Sequence, residues 1–174
     1  MNKAINAFDY AGYICKAMTK GILLTTKRGD EVNTMTIGWG HMGIEWGKPI
    51  FVAYIRDSRH TRKMLDDTYE FTVNIPYESV DAHILGYCGS KSGRDVNKIC
   101  ELNLTTVESE HIGVPGIREL PITLECKVIY RQKQDMNGIP ADIQTRYYPS
   151  DVSGNQDYHI AYYGEIVGAY LIEE

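Results

Sequence analysis

The segment from Tyr158 to Ile172 limits the fold more than any other part of the chain. It is a long apolar run interrupted by Gly164 and Gly168. Glycines inside a strand mark bends or bulges, so the run reads as a strand of a curved sheet. Leu120–Arg131 is a second long, apolar, β-branched strand, and Gly21–Lys27, Val32–Trp39, Ile50–Ile55 and Glu70–Ile75 are shorter ones. Arg28-Gly29-Asp30 is a turn signal that joins two of them as a hairpin, and a Gly-rich turn separates Trp39 from Ile50. Helical spacing is found in Ala4–Met18, where Ala4, Phe8, Ala11, Cys15 and Met18 share a face despite Gly12. It recurs after Asp57–Thr61, in Ser79–Tyr87 and in Asp95–Leu102. Gln134–Asn155 is polar and takes no clear assignment. Many strands, few helices and glycines within strands predict a mainly β fold, a barrel with peripheral helices.

The 174 residues hold no repeat and no linker, so one domain over residues 1–174 is expected. A net charge of −5 argues against a nucleic-acid partner. Met1–Met18 carries no secretory leader, and no apolar run reaches the length of a membrane span. Cys15, Cys88, Cys100 and Cys126 form no CxxC pair, so they read as free thiols of a reducing cytoplasm, not as a disulfide frame or a zinc site. His41, His60, His83 and His111 show no ligand spacing, and no metal site is expected.

Three segments carry residues suited to binding. In Arg56-Asp57-Ser58-Arg59-His60-Thr61, a strand ends in polar residues where a helix starts. Free backbone N–H groups, the helix dipole and a guanidinium all favour an anion there. The plainer reading is that Asp57 or Ser58 caps the helix, and a cap and a phosphate site can coexist. In Asn33–Trp39, alternation puts Asn33, Met35, Ile37 and Trp39 on one face and Thr34, Thr36 and Gly38 on the other. By alternation alone at least two of Met35, Ile37 and Trp39 are core. Between Gly89 and Lys98 lies a flexible basic loop, which by itself reads as a solvated turn. No Ser/His/Asp or Cys/His set is visible.

Taken in order, these pieces resemble the flavin reductase-like family, the FMN-binding split β-barrels that include the flavoredoxins. The matching residues are Asn33-Thr34-Met35-Thr36 with Trp39, then Arg56 to Thr61, Glu70-Phe71-Thr72-Val73-Asn74, Cys88 to Lys98, and His159 through Gly164-Glu165-Ile166. The resemblance spans Gly21 to Ile172. In Ser92-Gly93-Arg94-Asp95-Val96-Asn97-Lys98, Asn97 replaces the family's usual aspartate, and Ile99 stands where an aromatic is common. The resemblance implies that Ser58, Arg59 and Thr61 hold the FMN phosphate, with His60 in the same turn, and that Arg56 also contacts the cofactor. It implies that Asn33, Thr34, Met35, Thr36 and Trp39 run beside the flavin ring. Cys88, Gly89, Ser92, Gly93 and Lys98 border the cofactor, and His159 lies on the substrate side as the one catalytic candidate, although a strand histidine is more often structural.

The family reading is an oxidoreductase in which NAD(P)H passes hydride to flavin N5; no acid–base set is needed for that step. With no GxGxxG after a strand, nicotinamide would bind in a shallow cleft over the flavin. The resemblance further implies a homodimer, with which the 13 tyrosines are compatible. The alternative is a flavoredoxin-type FMN electron carrier serving a redox partner protein, distinguished by whether NADH or NADPH rapidly bleaches the flavin. A third reading, a flavin-free scaffold barrel, is separated by the colour of the purified protein.

Overall fold

A computed structural model describes residues 2–78 and 80–173. The chain opens with β1 (Asn2–Ala4), a 3-10 turn (Ala7–Tyr10) and α1 (Ala11–Met18). Then come β2 (Ile22–Arg28), β3 (Glu31–Ile37), β4 (Gly40–Glu45), β5 (Lys48–Arg56), α2 (His60–Thr68) and β6 (Glu70–Ile75). The middle holds α3 (Ala82–Ser90), α4 (Lys98–Glu101), β7 (Thr106–Val107) and β8 (Gly116–Ile117). The last third is β9 (Ile122–Lys133), a 3-10 turn (Met136–Gly138), α5 (Ala141–Tyr147) and β10 (His159–Ile172). This is the mainly β fold with peripheral helices that the sequence predicts.

An antiparallel sheet runs β3-β2-β6-β9-β10-β5-β4, with β1 added to β10. Its long axis is β10, which pairs with β9 along most of its length, with β5 through His159–Glu165 and with β1 through Tyr170–Ile172. Register slips occur between Tyr163 and Gly164 and between Ile166 and Gly168, the two places where glycine interrupts the sequence. At Gly164 a Cβ would lie 2.6 Å from the Phe71 ring, and at Gly168 2.6 Å from His111 Nδ1. The bends therefore need glycine for room. The curved sheet encloses Leu24, Phe51, Ile55, Phe71, Leu124 and Tyr162, all inaccessible to solvent. Each such side chain contributes about 1.5–3 kcal/mol by burial. The end strands β3 and β4 do not pair with each other; β3 instead lies against β5, and α3 and α4 pack on β3. The barrel is open along that seam, and the seam is where the candidate site lies.

Three local features differ from the sequence reading. The expected helix Ala4–Met18 is a strand, a 3-10 turn capped by Asn6 on Phe8 N–H, and a helix only from Ala11. The Gly-rich stretch after Trp39 is not a simple turn but strand β4, and the tight turn is Trp46-Gly47, with φ of 51° and 69°. Those angles match a two-residue hairpin turn whose twist suits the flanking strands. Gly40 stands in β4 because a Cβ there would approach Val52 O to 2.7 Å. The expected helix Asp95–Leu102 is shortened to α4, since Asn97 Oδ1 accepts from Cys100 N–H and so sets the start. The expected helix start at Ser79 lies outside the described residues, as do Met1 and Glu174.

Candidate functional site

Two adjoining cavities follow the seam. The first, with about 450 Å³ of open space, lies between β3, the start of α2, the end of α3 and the loop before α4. It is lined by Asn33, Met35, Thr36, Ser58, Arg59, His60, Thr61, Cys88, Gly89, Lys91, Ser92, Gly93, Arg94 and Lys98. Four of these are Lys or Arg and none is Asp or Glu, in a chain whose net charge is −5.

The start of α2 is built to present donors. Its N-cap residue, Arg59, has extended backbone and makes no side-chain cap, so the first N–H groups of the helix lack the usual partner. Asn33 Nδ2 donates to Thr61 Oγ1 at 2.8 Å, tying β3 to the helix. His60 Nε2 meets Glu31 Oε1 at 2.7 Å, a contact that lowers the Glu31 pKa, while His60 Nδ1 is buried without a partner. Ser58 is engaged already: its N–H and hydroxyl donate to the Asp157 carboxylate at 3.0 and 2.7 Å. Arg94 Nη2 donates to Ser58 O at 2.6 Å, bridging the mouth.

On the opposite wall, the buried Lys98 ammonium donates to Thr34 O at 2.7 Å and Cys88 O at 3.1 Å. It thus satisfies an edge carbonyl of β3 that has no neighbouring strand. Burial lowers the Lys98 pKa and pushes the Cys88 thiol up to about 11, so Cys88 is a protonated thiol packed in the wall. Gly93 is pressed against β3, where a Cβ would lie 2.7 Å from Asn33 Cγ; at Gly89 it would lie 3.4 Å from Thr36 Cβ. Thr36 Oγ1 donates to Leu85 O at 2.6 Å. The basic loop therefore packs on its own chain, whereas the sequence offers it no evident partner. Thr34 is not part of the lining; its hydroxyl turns inward to Thr25 and Leu24 O.

The second cavity, about 480 Å³, shares Met35, Thr36 and Arg59 with the first and continues past Ile37, Gly38, Trp39, Tyr54, Arg56 and His159. Sheet register builds it: His159 is the direct cross-strand partner of Arg56, and Tyr54 lies two residues along the same face. The Trp39 ring packs 4.8 Å from His159 and 5.2 Å from Tyr147. Arg56 is spent on structure, donating to Asp157 O and Tyr147 O at 2.8 and 3.0 Å. Burial, reinforced by Arg56, depresses the His159 pKa to about 4. The ring is neutral at pH 7 and is no proton donor there.

The family model described as the flavin reductase like domain matches residues 16–174. The chain belongs to that family. Among curated relatives, an uncharacterized protein of Archaeoglobus fulgidus is 31% identical over 58% of this chain and 55% of its own length. Another, of Pyrococcus abyssi, is 27% identical over 67% of this chain and 66% of its own. The chain thus spans just over half to two thirds of those relatives. In fold, this flavin reductase-like chain is similar to an FMN-binding domain of a flavin reductases-like enzyme from Shewanella baltica OS155. The TM-score is 0.65 at 17% identity, over 98% of this chain and 77% of that one. It is also similar to the flavoredoxin of Desulfovibrio vulgaris (Miyazaki F), with TM-score 0.64 at 22% identity over 88% and 69%. The 2-nitrobenzoate 2-nitroreductase of Pseudomonas fluorescens gives 0.64 at 20% over 97% and 73%.

Of the residues singled out in sequence, all but Thr34 line one cavity or the other. Sequence reasoning missed Tyr54, Gln134, Tyr148 and Asp157, and took in Lys91 and Arg94 only as members of the basic loop. Tyr54 could have been found, since it shares a strand face with Arg56. Tyr148 and Asp157 come from the polar third of the chain, where no periodicity marks them.

Proposed function

We propose that this flavin reductase-like chain binds FMN in the seam and acts as an NAD(P)H-dependent oxidoreductase. The observation that carries the reading is the basic cavity of an acidic chain, with no Asp or Glu in its lining, opening directly into an aromatic one. A phosphate suits the first and a flat ring the second. Arg59, His60 and Thr61 hold the phosphate with the free N–H groups of α2, and the orphaned His60 Nδ1 is a group such a ligand satisfies. Ser58 joins them where Asp157 yields. Asn33, Met35, Thr36, Cys88, Gly89, Ser92, Gly93 and Lys98 form the walls along the cofactor, and Thr34 supports β3 from behind. Trp39, Arg56 and His159 face the substrate side.

When bound, FMN would supply the redox chemistry, as the acceptor for hydride from NAD(P)H. The chain's residues bind, orient and exclude water; no proton transfer by the protein is required. A cytoplasmic homodimer completes the reading. Its support is the exposed Trp46 and Tyr130, whose rings lie 6.1 Å apart beside Tyr163 on one face of the sheet, with four free cysteines.

Flavin fluorescence titration and anaerobic stopped-flow absorbance test it. FMN is expected to bind at least about tenfold tighter than riboflavin, the worth of one charge-assisted hydrogen bond. NADH or NADPH should then bleach the bound flavin. Reduction by dithionite alone would replace the reductase by a flavoredoxin-type carrier that exchanges electrons with a partner protein.

A further inference from the structure

We propose that Tyr148 and Gln134 are positioning residues that hold His159 as the Nδ1–H tautomer, so that Nε2 is offered to the Trp39–Tyr54 cavity as a hydrogen-bond acceptor. The cavity then selects ligands that present an N–H or O–H donor on a flat ring. A primary carboxamide has that chemistry; a carboxylate does not.

The assignment follows from counting hydrogens. The backbone N–H of His159 donates to the side chain of Gln134 at 3.2 Å. A backbone N–H can only donate, so the Gln134 atom it meets is the carbonyl oxygen, Oε1. The Tyr148 hydroxyl lies 2.8 Å from that same oxygen. Two oxygens at that distance require a hydrogen between them, and Oε1 has none, so the Tyr148 proton points at Gln134. The Tyr148 oxygen also lies 2.8 Å from His159 Nδ1. Its single proton is already committed, so the hydrogen in this contact belongs to Nδ1. A neutral imidazole carries one N–H, which leaves Nε2 with its lone pair.

The neutral state is supported by the surroundings. His159 is 6% exposed, with Tyr54, Trp39 and Tyr148 rings around it. Burial and the charges of Arg56 and Arg59 disfavour imidazolium, and Asp157 opposes them only in part. Nε2 has no partner among the described residues and is not sealed from solvent. The ring lies on the wall of the second cavity.

The tautomer claim stands apart from the proposed function, and only the ligand claim rests on His159 being a substrate-side residue. Long-range 1H–15N NMR of histidine-labelled protein reads the tautomer directly. At pH 7 the His159 signals should show protonated Nδ1 and bare Nε2. Tyr148→Phe keeps the ring but removes the acceptor, and should move His159 to Nε2–H or to a mixture. Gln134→Glu keeps the acceptor and should preserve the wild-type pattern. An Nε2–H or doubly protonated ring in the wild type, or a pattern unmoved by Tyr148→Phe, overturns the proposal. For the ligand claim, nicotinamide titrated onto the FMN-loaded protein should shift the His159 Nε2 resonance, and nicotinate should not. Tyr148→Phe should raise KM for NADH or NADPH about tenfold, one lost hydrogen bond, with kcat little changed. Equal shifts with both small molecules overturn the ligand claim. Absence of any flavin reduction, with the tautomer as expected, fails the reductase reading and leaves the positioning role intact.

Discussion

The two ends of the seam are made by different means. The basic cavity is a main-chain construction: the start of α2, the edge of β3 and a loop that glycine allows to lie against Asn33. Its residues come in short runs, 33–36, 58–61 and 88–98, and each run carries its own local signature. The aromatic cavity is a side-chain construction. Trp39, the β5 residues Tyr54 and Arg56, Tyr148 and His159 lie far apart in sequence and meet because β5 and β10 pair in one register. A site made from backbone and turns can be read before the fold is known. A site made from cross-strand neighbours needs the register first.

The largest effect is expected where the basic end depends on a buried charge. Lys98→Met removes both hydrogen bonds that tie β3 to α3 and leaves Thr34 O and Cys88 O without their donor. An orphaned buried acceptor costs about 1–3 kcal/mol, and release of the ammonium from its desolvated site offsets part of that. A net loss of about 2–4 kcal/mol in urea unfolding is expected, with FMN binding lost in parallel. Unchanged stability would mean that the basic end does not rest on this cation.

The aromatic end should lose stability on acidification. The folded His159 pKa is depressed to about 4, below the unfolded value near 6.5. Between those values the unfolded chain binds the extra proton, so stability is complete above pH 6.5 and falls as pH drops towards 4. The full loss is about 3 kcal/mol. His159→Gln should lack it, so the difference between wild-type and variant unfolding free energies, followed from pH 7 to pH 4, isolates the effect. A parallel dependence in both proteins would contradict a buried neutral ring.

Arg59 borders both cavities, so it tests whether they work as one site. Arg59→Ala should weaken FMN about tenfold to a hundredfold and riboflavin much less, without loss of fold by circular dichroism. Equal losses for the two flavins would assign Arg59 to the ring end instead.

The same contrast explains what was legible in the sequence. The bulged strand showed itself through Gly164 and Gly168, because the bends need room that only glycine leaves. The helix start at His60 showed itself through its polar run. Strand β4 did not, since Gly40 and Gly43 look like a turn until β5 is known to pass within van der Waals contact of Gly40. The first residues read as one helix because Ala4 and Phe8 fit its spacing, yet β10 offers an edge to which β1 can pair. Tyr148 gave no signal at all. It lies in a polar segment, and its value comes from His159 and Gln134, neighbours that only the fold supplies.

The smallest expected effect concerns the boundary between the two ends. Asp157 belongs to the segment that Arg56 pins at the aromatic end, through Arg56 Nη1 on Asp157 O at 2.8 Å. Its carboxylate reaches to the basic end and takes both donors of Ser58. A phosphate arriving there competes with a resident anion for the same N–H and hydroxyl, and meets its negative charge besides. Asp157→Asn keeps the size and one carbonyl acceptor for the Ser58 N–H, but removes the charge. At the protein surface such a repulsion is worth less than about 1 kcal/mol and is screened by salt. FMN should therefore bind about two- to fivefold tighter to the variant at low ionic strength, with the gain fading in high salt. Riboflavin, which has no phosphate, should bind both proteins alike. Weaker FMN binding to Asp157→Asn would reverse the assignment: the carboxylate would then serve the phosphate site by fixing Ser58, and the two ends would be coupled through Asp157 instead of competing at it.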